Sequence, residues 1–221
     1  MPYRLFSYVI THDTGFAPNP FGEVLTLATC KPKIRVAAQV GDWLLGTGSA
    51  RAVGNDRVVY AAQVSEVMSL ANYGDDHRFT CKRPSLGKAF WNRVGDCIYF
   101  QRPEGTWVQR RNLFHNEKDV TRDLGGLNAL VCKQFWYFGG SAPLLPDHLL
   151  SGVKRGPGHR CDASEQFIDS LVQWFNAFEP GLRGEPFMKE VLVGTPRVSA
   201  GCSRVAVVPI KGSCTTPGLA T

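Results

Sequence analysis

The chain has 221 residues, of which 43% are hydrophobic and 11% aromatic, so it can build the packed core of one large domain or two small ones. Its formal net charge is +6 and its pI is about 9.0, which mildly favours a polyanionic partner such as nucleic acid. No apolar run reaches the ~18 residues of a membrane span, and the N-terminal stretch is too short and polar for a secretion signal.

The cysteines are seven in number, widely scattered, and contain no Cys-x-x-Cys pair. This usage predicts a reducing compartment, the cytoplasm, rather than a disulfide framework. Cysteines and histidines do not cluster at metal-ligand spacing, so we expect no structural zinc site. No cofactor is predicted either.

Strands are predicted where β-branched and aromatic residues concentrate between turn formers. A short helix is predicted from Pro32, a residue suited to the first helical position, to the turn at Gly41. A longer amphipathic helix is predicted after Asp162, which forms a capping-box pattern with Glu165. In chain order the predicted strands are 3–10, 24–27, 43–45, 57–67, 97–100, 106–109, 129–137 and 204–210, and the predicted loops are 11–21, 72–82 and 138–160.

The start of the short helix carries three cations, Lys31, Lys33 and Arg35. Positive charge at a helix start is unfavourable unless an anion lies nearby, which suggests a phosphate or nucleotide. The alternative is that the long side chains are only solvated surface. Cys30 precedes these cations, in an environment that favours a nucleophilic thiol, although a small capping or core residue is the simpler interpretation.

Two further segments are candidates for binding. The aromatic run at 135–138 leads into Gly139 and Gly140, a pattern that can stack on a base while backbone N–H groups meet a phosphate; the alternative is a core strand ending in a turn. His159 lies in a basic glycine loop and could transfer protons, but surface histidines are commoner. Trp43 is either part of an aromatic cage or core, and Asp42 most simply ties its own turn.

Several motif-defined enzyme classes are not indicated by the sequence. It contains no Gly-x-Ser-x-Gly, no phosphate-binding loop, no dinucleotide-binding glycine pattern and no zinc-deaminase signature. The first half instead carries Leu-Phe-Ser-Tyr-Val at 5–9, Ala-Pro-Asn-Pro-Phe at 17–21, Leu-Ala-Thr-Cys-Lys-Pro-Lys-Ile-Arg at 27–35 and Val-Gly-Asp-Trp at 40–43. The second half carries Phe-Trp-Tyr-Phe-Gly-Gly at 135–140, Ala-Pro at 142–143 and Gly-His-Arg at 158–160.

This ordered set resembles the second family of nucleotide modification-associated domains over residues 3–190. The resemblance implies a bacterial or phage protein linked to DNA base modification and phage–host conflict. More distantly, residues 35–45 and 60–73 resemble the EVE and YTH branch of the PUA-like superfamily, small β-barrels that bind a modified base between aromatic walls. The chain departs from EVE domains in having Leu5-Phe6 where they open with Tyr-Trp. The pocket residues implied by this likeness are Asn19, Thr29, Cys30, Lys31, Arg35 and Trp43.

We therefore expect an α+β fold, a PUA-like small mixed β-barrel with peripheral helices and an extended C-terminal half. Residues 1–194 would form one nucleotide modification-associated domain. Residues 195–221 would form a C-terminal strand and a frayed tail. The expected location is the bacterial cytoplasm, or the host cell in the case of a phage protein.

The leading functional hypothesis is recognition of a modified nucleobase or nucleotide, with DNA as the expected partner, no membrane and no metal. Cations would contact phosphate, aromatic residues would stack, and the Asn19 amide would read a base edge. The predicted binding residues are Asn19, Thr29, Cys30, Lys31, Lys33, Arg35, Trp43, Phe135, Trp136, Gly139, Gly140, His159 and Arg160.

Two alternatives remain open at this point. The first is an enzyme that modifies a base or nucleotide, or removes a modified base, with Cys30, His159, Asp42 and Asp13 as catalytic candidates. The second is a protein-binding component of a defence or counter-defence system. Nucleotide binding and turnover would separate the three hypotheses.

Overall fold

A computed structural model describes residues 3–85, 89–189 and 206–208 of the chain. The strands are β1 Leu5–Ile10, β2 Leu25–Leu27, β3 Trp43–Gly48, β4 Val58–Gln63, β5 Glu66–Ser69, β6 Tyr99–Gln101, β7 Trp107–Gln109, β8 Asn128–Cys132, β9 Gln134–Tyr137, β10 His159–Arg160, β11 Gly181–Leu182 and β12 Ala206–Val208. The α-helices are α1 Pro32–Ala37, α2 Leu70–Asp75, α3 Phe90–Arg93, α4 Val120–Leu124 and α5 Glu165–Phe175. None of the described helices is long and apolar enough to cross a bilayer.

The largest sheet has the strand order β10-β1-β3-β4-β9-β11. Strands β1 and β3 are parallel, with Leu5 opposite Trp43, whereas β4 is antiparallel to both of its neighbours. A second sheet, β2-β8-β5, continues from the first because β4 leads directly into β5 and β8 into β9. The third sheet is β12-β7-β6.

The α+β class is confirmed, but the expected barrel is not closed. In the order of the described strands, β10 and β11 are the two edges of the large sheet and do not pair with each other. The single strand predicted for 57–67 is interrupted at Val64 and Ser65, where the chain leaves one sheet and enters the next. Ser65 donates its backbone N–H to Val131, and its hydroxyl accepts from the N–H of Lys133 at 3.0 Å. Strands β8 and β9, predicted as one strand, are likewise separated at Lys133, where the chain passes from the second sheet to the first.

The aromatic run of β9 contributes to two hydrophobic clusters, because successive side chains of a strand point to opposite faces. Phe135 and Tyr137 pack with Phe6 of β1 and the first face of the large sheet. Trp136 and Phe138 pack on the other face, which α5 covers. The run is therefore core on both sides, the simpler of the two interpretations of its sequence.

Two local predictions were wrong, and a third was confirmed in part. The polar segment 72–82, predicted as loop, contains most of α2 and the 3-10 helix His77–Lys82. Helix α5 is capped by Ser164, whose hydroxyl accepts from the Phe167 N–H at 3.2 Å, and Asp162 pairs with Arg160 instead. The predicted strand 204–210 is present as β12 over its central part. The rest of the tail lies outside the described residues.

Candidate functional site

A cavity of about 570 Å³ opens between the end of β1, the turn before α1 and the segment that leads to α4. This volume lies in the range of small-molecule sites. Its wall is partly aromatic, with the Phe16 and Phe114 rings 4.7 Å apart. Two cationic side chains, Lys31 and Arg122, also line it. The chemistry of this cavity depends on one further residue, Cys30.

Cys30 reaches the cavity through an unusual backbone turn. It has φ 56° and the following Lys31 has φ 38°, so two consecutive residues other than glycine adopt left-handed conformations. Each such residue costs on the order of 1–3 kcal/mol, and strain of this kind concentrates at functional sites. Pro32 then begins α1. The turn places the Cys30 thiol in the cavity wall rather than along the helix.

The Cys30 thiol is the first member of a chain of three polar groups. Its Sγ lies 3.4 Å from Nε2 of His115, and Nδ1 of His115 lies 2.5 Å from Oδ2 of Asp123. A carboxylate only accepts hydrogen bonds, so Nδ1 carries a hydrogen and Nε2 is the nitrogen that faces the thiol. A thiol, an imidazole and an orienting carboxylate in this order form a nucleophile–base–orienter triad.

Asp123 is completely buried and holds several donors. Besides His115, its carboxylate accepts from the Cys30 N–H at 3.2 Å and the Tyr99 hydroxyl at 3.0 Å. Burial raises the pKa of this carboxyl, but the hydrogen bonds from His115 and Tyr99, together with the histidine's charge, outweigh burial and hold the pKa below its ordinary value. Asp123 is therefore ionised at neutral pH. Because it binds both Cys30 and His115, it fixes their relative positions.

His115 is held on its other sides as well. Its backbone N–H donates to Oδ1 of Asn112 at 2.8 Å, and its ring meets Phe16 edge-on at 4.9 Å. Burial lowers the pKa of His115, but the hydrogen bonds to Asp123 and Cys30 raise it to about 9. The imidazole can thus take up and keep a proton at neutral pH.

Arg35 lies beneath this triad and is completely buried. Its Nε donates to the Cys30 carbonyl at 2.8 Å, and a terminal nitrogen donates to the Asp123 carbonyl at 2.5 Å. The other terminal nitrogen donates to the carbonyls of Gly126 and Asn128. The guanidinium is occupied by backbone and does not line the cavity, so the structure places Arg35 in a supporting position rather than on a phosphate.

The ligand-type atoms of Cys30, His115 and Asp123 lie within 4.8 Å of one another, as a metal site would require. However, Cys30 and Asp123 contact opposite nitrogens of one imidazole ring, and these nitrogens point away from each other. One ion cannot bond to all three at the ~2.0–2.3 Å of a metal–ligand bond. Arg122 also brings a terminal nitrogen to 3.4 Å from Nε2, where it would repel a cation. The arrangement suits proton transfer better than metal binding.

The cationic residues predicted to bind do not all line the cavity. Lys31 lines the cavity, with Nζ 4.4 Å from the centre of the Tyr8 ring, while Lys33 is exposed beside it. His159 is half-buried on β10, opposite Tyr8 of β1. Arg160 follows it and is occupied by Asp162 and the Ser151 carbonyl.

The other predicted binding residues lie away from the cavity. Trp43 stacks on Trp136 at 6.2 Å in the core beneath α5. Asn19 is buried, donates to the carbonyls of Gly15 and Val94, and accepts from Nζ of Lys82. Phe135 is buried in the sheet core, and Gly139 is buried against the carbonyl of Glu185. Gly140 is exposed and donates its N–H to the same carbonyl at 2.8 Å. Thr29 is buried, and its hydroxyl has no partner among the described residues.

Two of the catalytic candidates are engaged in structural contacts. Asp42 accepts from the Arg4 guanidinium at 2.7 Å and from the Gln39 N–H at 2.9 Å, which ties its own turn to β1. Asp13 accepts from the Tyr137 hydroxyl at 2.5 Å, and burial raises its pKa. Neither carboxylate lines the cavity around Cys30.

His115 and Asp123 were not found by sequence reasoning. The chain contains five histidines, and no spacing distinguishes the one that meets Cys30. The pairing spans 85 residues between Cys30 and His115 and 93 between Cys30 and Asp123. A nucleophilic thiol needs a base, so the only available signal was that one of five histidines should fold onto Cys30.

The comparisons with known proteins agree with the resemblance noted in the sequence. The chain matches no curated protein and no solved structure at a significant level. The profile described as nucleotide modification associated domain 2 matches residues 2–193, a span that includes every member of the triad and all of the cavity wall. The chain belongs to the family of nucleotide modification associated domain 2.

Proposed function

We propose that the chain is an enzyme that acts on a nucleotide or nucleobase through the thiol of Cys30, within a DNA-modification or phage-conflict system. The observation that carries this proposal is the contact chain Cys30–His115–Asp123 on the wall of a ligand-sized cavity. The description of the family, nucleotide modification associated, supports nucleotides as the substrate class. Among the hypotheses that the sequence left open, this is the enzymatic one.

In this mechanism the proton of the Cys30 thiol is held on Nε2 of His115, which is then an imidazolium, and Sγ attacks an electrophilic carbon of the substrate as the thiolate. A carbon–sulfur bond forms, and an electron pair moves onto a substrate nitrogen or oxygen. The imidazolium then returns the proton to the leaving atom, and water or a second nucleophile releases the adduct. Asp123 orients His115 and stabilises its imidazolium, and Lys31 and Arg122 offset negative charge.

Recognition without chemistry is the second candidate. The observation that favours it is the aromatic wall formed by Phe16 and Phe114, since base stacking on aromatic side chains contributes ~1–3 kcal/mol per base. The same wall would position a base for attack by Cys30. The two candidates therefore differ only in whether the thiol reacts.

Selective alkylation tests the enzyme proposal without knowledge of the substrate. Iodoacetamide should label Cys30 faster than the exposed Cys81 and Cys161, which serve as controls within the same molecule. In the His115→Asn variant this advantage should fall at least about tenfold, because the thiol loses its base. Labelling of Cys30 at the rate of the exposed thiols, or an advantage that survives His115→Asn, would contradict the proposal.

A substrate screen then separates enzyme from binding module. Modified and unmodified deoxynucleotides and oligonucleotides are incubated with the protein, and products and protein adducts are followed by mass spectrometry. Turnover should disappear in Cys30→Ala and persist in Lys133→Ala, an exposed residue between β8 and β9. Tight binding with no turnover for any modified nucleotide would instead favour recognition.

A further inference from the structure

We infer that Lys31, Lys33, Lys154 and His159 form a phosphate-binding rim beside Cys30, so that the substrate is a phosphorylated nucleotide unit rather than a free base or nucleoside. The inference rests on the proposed function for its substrate class. Beyond the proposed function, the inference names phosphate as the group that anchors the substrate and names the residues that bind this phosphate. We call these four residues the basic rim.

Three separate segments that carry the rim residues contact β1. The start of α1 supplies Lys31, whose Nζ sits over the Tyr8 ring. Strand β10 pairs with β1 so that His159 lies opposite Tyr8, with its ring 5.8 Å from that of Phe6. The segment before β10 is tied down by the Lys154 N–H, which donates to Oγ of Ser7 at 2.8 Å.

The rim carries positive charge without a carboxylate to offset it. Within residues 3–85 and 89–189, Lys31, Lys33 and Lys154 form no salt bridge, whereas the flanking Arg4 and Arg160 pair with Asp42 and Asp162. Burial lowers the pKa of His159, and the charges of Lys33, Lys31 and Lys154 lower it further. Burial also lowers the pKa of Lys31. The three lysine charges are stabilised by a bound anion, to which the His159 imidazole can donate a hydrogen bond.

The rim adjoins the reactive cavity through Lys31, which belongs to both, and through Tyr8, a residue of the cavity wall that lies next to Lys31 and His159. Lys31 is also the chain neighbour of Cys30. A phosphate on the rim would therefore leave the sugar and base of the same nucleotide directed toward the cavity with its aromatic wall of Phe16 and Phe114. A nucleoside could use the aromatic wall but not the rim.

The test measures the phosphate contribution to binding on the full chain, by calorimetry with the four deoxynucleoside 5′-monophosphates and the matching nucleosides. Both the natural chain and Cys30→Ala are used, so that binding is read without chemistry. At least one monophosphate should bind about tenfold more tightly than its nucleoside. Lys33→Ala and Lys154→Ala should each reduce that advantage severalfold, and Lys133→Ala should leave it unchanged.

Binding of a single-stranded DNA decamer shows whether the phosphate on the rim belongs to a free nucleotide or to a nucleic-acid backbone. If it binds with a steep salt dependence and the monophosphates do not, the rim holds a nucleic-acid backbone. Equal affinity for monophosphate and nucleoside, no binding of any of these ligands, or an advantage that survives both lysine substitutions would overturn the inference. Alkylation of Cys30 does not depend on Lys33 or Lys154, so the rim and the proposed function can fail separately.

Discussion

Arg35 joins the two ends of the triad through the backbone: its guanidinium donates to the carbonyl of Cys30 at 2.8 Å and to that of Asp123 at 2.5 Å. One buried side chain thus holds the strained turn of the thiol and the helix that carries the carboxylate. A buried cation destabilises the fold unless its N–H groups are hydrogen-bonded, and here they donate to peptide carbonyls.

Arg35→Met should lower the free energy of unfolding by roughly 3 kcal/mol or more, because several buried carbonyls lose their donor at ~1–3 kcal/mol each. Urea unfolding measures this, with Arg51→Met in an exposed turn as the matched control. In the folded fraction, alkylation of Cys30 should also slow. An unfolding free energy within 1 kcal/mol of the control would contradict the supporting role.

Asp123→Asn should slow alkylation of Cys30 by at least about tenfold, because a neutral amide no longer stabilises the charged imidazole that holds the thiol proton. The variant is nearly isosteric, so circular dichroism should report a folded chain. Asp147→Asn, an exposed carboxylate in a 3-10 helix, is the control. An unchanged rate in Asp123→Asn would show that the carboxylate does not orient the imidazole.

The pH dependence of stability should carry the signature of His115. Its folded pKa of about 9 lies above the unfolded value of 6.5, so its contribution is full below pH 6.5 and is lost as pH rises through 9. The contribution is at most about 3 kcal/mol. Asp123 acts in the opposite sense, since its lowered pKa contributes stability that is lost as pH falls below 3.8.

Urea unfolding between pH 6 and 10 tests the histidine contribution, by difference between the natural chain and His115→Asn. The difference cancels most other groups that titrate in this range. Stability of the natural chain should fall more steeply toward alkaline pH than that of the variant. Parallel curves would mean that the imidazole is not paired in the folded state.

Trp43 and Trp136 should contribute to stability and not to ligand binding, since they stack on each other under α5. Trp136→Ala should cost about 3–5 kcal/mol of unfolding free energy. The milder Trp43→Phe should leave nucleotide affinity unchanged, while Phe114→Ala in the cavity wall should weaken it. If Trp43→Phe lowered nucleotide affinity without changing stability, Trp43 would be part of the binding site after all.

The local elements were largely predictable because they depend on neighbouring residues. Strand β1, the start of α1 at Pro32 and the strand from Trp43 follow from β-branched runs, ring geometry and turn formers within a few positions. The same local reasoning singled out Cys30 as the residue on which an enzymatic function would depend. It went wrong at 72–82, where buried Leu70 and Tyr73 outweigh a polar sequence.

The sequence by itself determined the α+β class, the family, the basic start of α1 and the thiol at its head. Only the tertiary structure decided which cations face the cavity: Lys31 lines it, but Arg35, four residues later, is held in the core by the Cys30 carbonyl and by three carbonyls of a distant segment. It also decided that His115 and Asp123 meet Cys30, because such contacts depend on how whole sheets and loops close over long separations. Local patterns set the faces of a strand or helix, and long-range packing chooses what those faces meet.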